Sequence, residues 1–181
     1  MYSPKFNQVA DRSILIEAMQ AYSFAILFGP QGESLIATHL PLVVKDEGEH
    51  GLIEGHFAHA NPHWKTLANR EVLVVFPGPH SYVSPTNYVE QLSVPSWNYI
   101  AVHAYGTLEL VEDNAGKEAL LAGLIQANEP AFARIPIARI EGKFKISQNR
   151  APQERINVQA THAAGSDDQR ALAAWMARLI K

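Results

Sequence analysis

The run VPSWNYIAVHAYG, Val94 to Gly106, constrains the fold more than any other stretch of this chain. Ile100, Val102 and Ala104 alternate with Ala101, His103 and Tyr105, the two-residue period of a pleated strand. Trp97, Asn98 and Tyr99 stand at its head, two rings and an amide that together can stack on a flat ring and hydrogen-bond its edge. A half-buried strand capped by aromatics accounts for the same residues. Other runs also read as strands. SFAILF (Ser23 to Phe28) suits a central strand, followed by a turn at Gly29, Pro30 and Gly32, and EVLVVF (Glu71 to Phe76) is the clearest buried one. Ser34 to Lys45 is β-rich but interrupted by Thr38, His39 and Pro41, and a proline inside a strand implies an edge or a bulge. Leu52 to Ala58 returns from an acidic hairpin turn at Asp46 to Gly51, Trp97 to Glu112 is one strand or two with the bend at Gly106, and Ile135 to Ile146 is the last strand.

Helices are fewer. Asp11 is placed to cap a helix bearing Ile14, Leu15, Ala18, Met19 and Tyr22 at helical spacing. Pro62 opens a short helix to Asn69, residues 114–129 carry an apolar helical face, and Arg170 to Lys181 forms a terminal amphipathic helix with Leu172, Trp175 and Met176 on one stripe. Pro77 to Pro85 reads as a loop, and Ala151 to Asp168 as a polar, mobile linker. Strands come in runs rather than in β-α-β alternation, which predicts a mainly β, α+β architecture: an antiparallel barrel or sandwich with peripheral helices. Residues 1–150 are expected to form one domain, with 151–181 packing on the same domain or on a dimer.

Composition excludes several classes. Cysteine is absent, which removes disulfides, a thiolate nucleophile and thiolate-held zinc. The net charge of −3 is not that of a protein that coats nucleic acid, although it leaves room for a local basic patch. The start lacks a signal-peptide pattern and no apolar run reaches the roughly 20 residues of a membrane span, so a cytoplasmic protein without membrane contact is expected. Glycine-rich dinucleotide and P-loop motifs are missing, which removes those two nucleotide-binding readings.

Four polar and aromatic clusters accompany the opening run. ATHLP (Ala37 to Pro41) brings Thr38 and His39, and a bulge at Pro41 would free backbone N–H groups for an anion or a ring edge. GHFAHANPHW (Gly55 to Trp64) holds His56, His59 and His63. A zinc pair at His59 and His63 is disfavoured because Pro62 lies between them and no carboxylate completes the set, which leaves His59 and Asn61 as anion or flavin contacts. GPHSYVSPTNY (Gly78 to Tyr88) offers Ser81, Ser84, Thr86, Tyr82 and Tyr88; without a nucleophile elbow around Ser84, this is a binding segment rather than a hydrolase site. EGKFKISQNR (Glu141 to Arg150) projects Lys143 and Lys145 from one strand face ahead of Ser147, Gln148 and Asn149, either a phosphate site or a solvated lysine face.

ATHLP, GHFAHANP, FPGPHSYVSP, VPSWNYIAVHAYG and GKFKISQNR occur in this order. Together they resemble the PaiB-type family of FMN-binding negative transcriptional regulators, with the match spread from MYSPKFN to Arg150. The chain departs from the family pattern at His59, where arginine is usual, at Asn87, where tryptophan is usual, and at Ser96, where threonine is usual. The resemblance implies an FMN-binding split β-barrel related to pyridoxamine-phosphate-oxidase-like proteins, a homodimer, and FMN as cofactor. It also implies Lys143 with Gln148 and Ser84 at the phosphate, Trp97, Asn98 and Tyr99 with Thr38, His39 and Asn61 around the ring and ribityl chain, and His59 near the phosphate. The implied function is a flavin-linked regulator, with DNA as a partner that the mildly acidic charge supports only weakly. A small FMN-dependent oxidoreductase is the alternative and a haem-binding protein a third. His39 and His103 are the candidates for a general base, but no catalytic residue is assigned.

Overall fold

The computed structural model describes residues 1–89, 93–111 and 131–180. The elements in chain order are β1 (Gln8–Val9), α1 (Arg12–Ala21), β2 (Phe24–Gln31), β3 (Ser34–Pro41), β4 (Val43–Lys45), β5 (Leu52–Phe57), α2 (His63–Leu67), β6 (Glu71–Val83), β7 (Ser96–Thr107), β8 (Glu109–Leu110), β9 (Ala131–Lys145), α3 (Pro152–Ala163) and α4 (Asp167–Leu179). The strands join in the order β3-β2-β6-β7-β9-β5-β4, with β1 and β8 also pairing to β9. The mainly β architecture with peripheral helices is therefore as expected. The end strands β3 and β4 are not paired to each other among the described residues, so the sheet does not close. The helix expected over 114–129 lies outside the described residues.

The chain divides into two compact units: unit 1 comprises Met1–Val9, Gly78–Ala101 and Gly142–Lys181, and unit 2 comprises Ala10–Pro77 and Val102–Glu141. In unit 2, β2 and β3 form a hairpin in unbroken register from Phe24↔Pro41 to Gln31↔Ser34. The turn comes only at Gly32, whose φ of 63° suits a residue without a side chain. Gly29 and Pro30 stay in β2, contrary to the expected turn. Pro30 is tolerated because β2 pairs with β6 only at Ile26, Leu27 and Phe28, so the proline disturbs no second ladder. Thr38 and His39 do not interrupt β3 either, and of the edge or bulge that Pro41 implies the structure has the edge, since β3 is an edge strand that ends there. The Asp46–Gly51 turn is as read, with β4 and β5 paired from Val43↔Glu54 to Lys45↔Leu52. Asp11 caps α1 by accepting from the Ser13 and Ile14 N–H groups, which places Leu15, Ile16 and Met19 in the core beside Leu27, Ile53, Phe57 and Phe76. Each such side chain contributes about 1.5–3 kcal/mol by leaving water. The bend assigned to Gly106 is a break at Leu108, between β7 and β8. Gly106 instead permits close approach: a Cβ there would lie 2.2 Å from the Pro136 carbonyl oxygen.

In unit 1, β1 pairs with β9 at Gln8↔Lys143 and Val9↔Gly142. β6 runs on through Pro77 and Pro79 to Val83 where a loop was expected. Its alternation continues past the prolines, with Pro79, Ser81 and Val83 inward and His80 and Tyr82 outward. The mobile linker read at Ala151–Asp168 is also corrected, because most of it is α3. This helix hides its inward stripe from a hydropathy reading: Glu154, Val158 and His162 are buried at four-residue spacing, and two of the three are polar. Glu154 accepts from the Val89 N–H at 3.0 Å, while Asn157 and Thr161 hydrogen-bond Asn87. α4 begins with a capping box between Ser166 and Gln169 and buries Leu172, Trp175 and Met176. Trp175 meets Phe144 of β9 edge-on at 5.2 Å between centroids.

Candidate functional site

Unit 1 presents two unlike faces at the head of β7. Inward lies a buried polar network. Asn98, 2% exposed, donates to Ser147 Oγ at 3.0 Å and accepts from it at 3.1 Å, and its Nδ2 stands 3.5 Å from His162 Nε2. Burial lowers the His162 pKa, and its Nδ1 has no hydrogen-bond partner among the described residues. Ser147 sits at φ 68°, in the left-handed region, and so turns the chain directly after β9. Outward, Trp97 is 52% exposed and packs near His80 and Tyr82, each with its ring 6.1 Å away. Lys143 Nζ lies 5.4 Å from the Tyr99 ring centroid. Lys145 donates to Ser96 Oγ. Neither lysine pairs with a carboxylate among the described residues, so Lys143 stands beside aromatic rings, and Lys145 beside a hydroxyl, without a countercharge.

Ser84 accepts from the Thr86 N–H at 3.2 Å and from its hydroxyl at 2.9 Å, which caps a one-turn helix over Pro85–Asn87. Gln148 folds back on its own strand, accepting from the Ile146 N–H at 2.8 Å and donating to the Phe144 carbonyl. The carboxamides of Asn98 and Gln148 are thus committed to the protein. Trp97, Tyr99 and Lys143 face outward.

In unit 2, Thr38 Oγ1 lies 2.8 Å from His63 Nδ1 and accepts from Asn61 Nδ2 at 3.4 Å, while Asn61 Oδ1 accepts from the His63 N–H at 3.0 Å. His63 is fully buried, which lowers its pKa; the Gly29 backbone partly offsets this. His59 is exposed and packs on Trp64 at 5.9 Å between centroids, with the indole N–H donating to the His59 carbonyl at 3.3 Å. His39 is exposed beside Phe24. Thr38 and Asn61 therefore spend their polar groups tying edge strand β3 to α2. Elsewhere in unit 2, buried Glu54 is bridged by Lys45 at 2.7 Å and Arg134 at 2.8 Å. Burial alone would raise its pKa, but these two cations hold its carboxyl below the usual range.

The ten residues read from sequence fall into these two sets: Ser84, Trp97, Asn98, Tyr99, Lys143 and Gln148 in unit 1, and Thr38, His39, His59 and Asn61 in unit 2. Sequence reading weighed His63 only in a disfavoured zinc pair and did not reach His162, yet these are the buried centres of the two networks. The four-residue spacing of Glu154, Val158 and His162 is a signal for the second; nothing local marks the first as the partner of Thr38, which is 25 residues away.

Residues 1–167 match the family model described as "Putative FMN-binding domain". The chain belongs to this family. It is 33% identical to "Protease synthase and sporulation protein PAI 2" of Bacillus subtilis, with 87% of each chain covered. The "FAD and Heme binding protein" from Mycobacterium smegmatis superposes with a TM-score of 0.59 over 77% of this chain and 73% of its own, at 14% identity. A "Putative pyridoxamine 5'-phosphate oxidase" from Corynebacterium glutamicum gives 0.50 over 77% and 93%, at 16% identity. At such identities the structural likeness is one of fold, the FMN-binding split barrel. The PaiB-type resemblance carried by the five ordered motifs holds, and FMN is the cofactor that goes with the family. No helix among the described residues is long and apolar enough to cross a membrane.

Proposed function

We propose that this protein is a flavin-linked negative transcriptional regulator that acts as a homodimer and holds FMN on the outward face of unit 1. The observation that carries the reading is the exposed Trp97, with Tyr82 and His80 beside it, on the same unit as the uncompensated Lys143 and Lys145. FMN has a planar ring, which stacks on aromatic side chains, and a phosphate, which is nearly a dianion at neutral pH and requires cations or N–H donors. The residues fit both requirements. Bound FMN supplies redox chemistry through its ring; the chain's own part is to grip the phosphate, stack the ring and exclude water. Lys143 is assigned to the phosphate, Trp97 and Tyr99 to the ring. Asn98 and Gln148 hold the strand ends from which these groups project. The regulatory role follows from kinship with PAI 2, whose name ties that protein to protease synthesis and sporulation. A second copy is proposed because exposed aromatics such as Trp97 and Tyr82 are the residues interfaces cover.

The test begins with FMN titration of the purified protein by flavin fluorescence. Lys143→Ala should weaken binding about tenfold or more, the loss of one charge-assisted contact, while Arg155→Ala, which removes the same charge from α3, should not. Light scattering should give twice the chain mass, and binding to promoter DNA should weaken steeply with salt. NAD(P)H oxidation by the FMN-loaded protein, without DNA binding, would favour the oxidoreductase.

A further inference from the structure

We infer that Tyr2 is a further phosphate-site residue, one that preorganises Lys143 for the phosphate monoester of the ligand. The inference rests on the FMN reading above and deepens it. Lys143 is the cation that reading assigns to the phosphate, and lysine is a poor anchor when left alone. Its four-carbon stem explores many rotamers, and fixing it on binding costs affinity. Here the stem is already held. Nζ donates to the Tyr2 carbonyl at 3.0 Å, lies 5.6 Å from the Tyr2 ring centroid and 5.4 Å from that of Tyr99. Two ring faces and one carbonyl thus bracket the ammonium. None of the three carries a formal charge, so the group is oriented without being neutralised and its remaining donors keep their attraction for an anion.

The segment that brings Tyr2 there is itself anchored. The Asn7 N–H donates to the Pro4 carbonyl at 2.9 Å, Gln8 Nε2 donates to the Ser3 carbonyl at 2.7 Å, and Gln8 is register partner to Lys143. Yet Tyr2 is 85% exposed, far beyond what packing alone asks of a tyrosine. Its ring does little for the core, and its identifiable contact is with the ammonium. An exposed ring over a cation with no carboxylate partner among the described residues is an arrangement suited to a ligand that brings the missing negative charge.

The experiment is a double-mutant cycle at Tyr2 and Lys143, read by titration with FMN and with riboflavin, which shares the ring and lacks the phosphate. Tyr2→Ala should weaken FMN binding about two- to fivefold, the size of an exposed cation–ring contact, and leave riboflavin binding unchanged. Tyr2→Phe should bind FMN as the wild type does, because the ring and the backbone carbonyl both remain. In the Lys143→Ala background Tyr2→Ala should have no further effect. Tyr2→Ala binding FMN like the wild type overturns the inference, as does equal weakening of FMN and riboflavin, or an effect that persists without Lys143. If Lys143→Ala weakens FMN binding and Tyr2→Ala does not, the Tyr2 role alone fails. If Lys143→Ala leaves FMN binding unchanged, the phosphate assignment fails and the Tyr2 role with it.

Discussion

Trp97 and Asn98 are neighbours in the chain and opposites in circumstance. Trp97 is 52% exposed beside the outward rings of His80 and Tyr82, whereas Asn98 is 2% exposed with its carboxamide engaged by Ser147 and facing His162. Strand alternation alone separates them, since successive side chains of a pleated strand point to opposite faces. The difference divides the Trp-Asn-Tyr motif by role. The aromatics are free to meet a ligand, and the amide between them holds the strand in place. On the proposed reading, a motif that looks like one binding unit in sequence is a pair of ligand-facing rings with its own support built in.

The largest test of this division is Asn98→Ala. It removes both partners of the Ser147 hydroxyl and leaves His162 without its amide in a buried site. Stranding buried polar groups costs about 1–3 kcal/mol each, so a loss of roughly 3 kcal/mol in urea denaturation is expected. If Asn98 instead served mainly as a ligand contact, Asn98→Ala would keep its stability and lose only flavin affinity.

Next comes pH. Burial lowers the pKa of His162 in unit 1, and also those of His63 and His103 in unit 2. An unfolded histidine titrates near 6.5, so as pH falls through that value the unfolded chain takes up protons before these folded rings do. Their contribution is therefore complete above about pH 6.5 and is lost as pH falls below it. Denaturation midpoints at pH 7.5 and 5.5 should show the acid loss. His162→Gln, though less stable at both values, should lose less between them. An unchanged difference would mean that His162 is not neutral and buried in solution.

Trp97→Ala probes the opposite face and should reverse the pattern seen for Asn98. An exposed aromatic contributes little to folding, so the urea midpoint should move by no more than about 0.5 kcal/mol. Flavin affinity should fall about three- to tenfold, corresponding to a stacking contribution of ~0.5–1.5 kcal/mol. A large stability loss with unchanged affinity would place Trp97 in the fold rather than in the site.

What was legible in the sequence follows the same division. The alternation of Ile100, Val102 and Ala104 with Ala101, His103 and Tyr105 survives intact in β7, because strand periodicity depends on the chain alone. Asp11 as a cap was readable for the same reason. Other elements were misread where their determinants are not local. β6 runs through Pro77 and Pro79, where proline chemistry argued for a loop. At Pro41, of the edge or bulge that the proline implies, the edge is realised, because β3 ends there at the side of the sheet. α3 looked like a linker because its inward face is anchored by hydrogen bonds to Asn87 and Val89, residues 65 to 74 positions away, and not by an apolar stripe. The site residues were legible as types and not as orientations. Nothing in Thr38, Asn61 or Gln148 announces that each spends its polar atoms on the protein itself.

Ser147 gives the finest test, because it carries two roles that substitution can separate. Its hydroxyl is one half of the reciprocal bond to Asn98, and its backbone holds φ 68°, where a side chain is strained by about 1–2 kcal/mol relative to glycine. Ser147→Ala removes the hydroxyl and keeps the strain. Ser147→Gly removes the hydroxyl and relieves the strain, but its freer unfolded chain takes back about 0.4–1 kcal/mol. Both variants should be less stable than the wild type, since Asn98 is left partly unsatisfied in each. Between them, Ser147→Gly should be the more stable by about 0.5–1 kcal/mol, and chemical denaturation of the pair isolates the backbone contribution from the hydrogen bond. If Ser147→Ala proves equal to or more stable than Ser147→Gly, the turn after β9 does not hold its left-handed conformation in solution. The inward network would then not be the rigid support on which Trp97, Tyr99 and Lys143 stand.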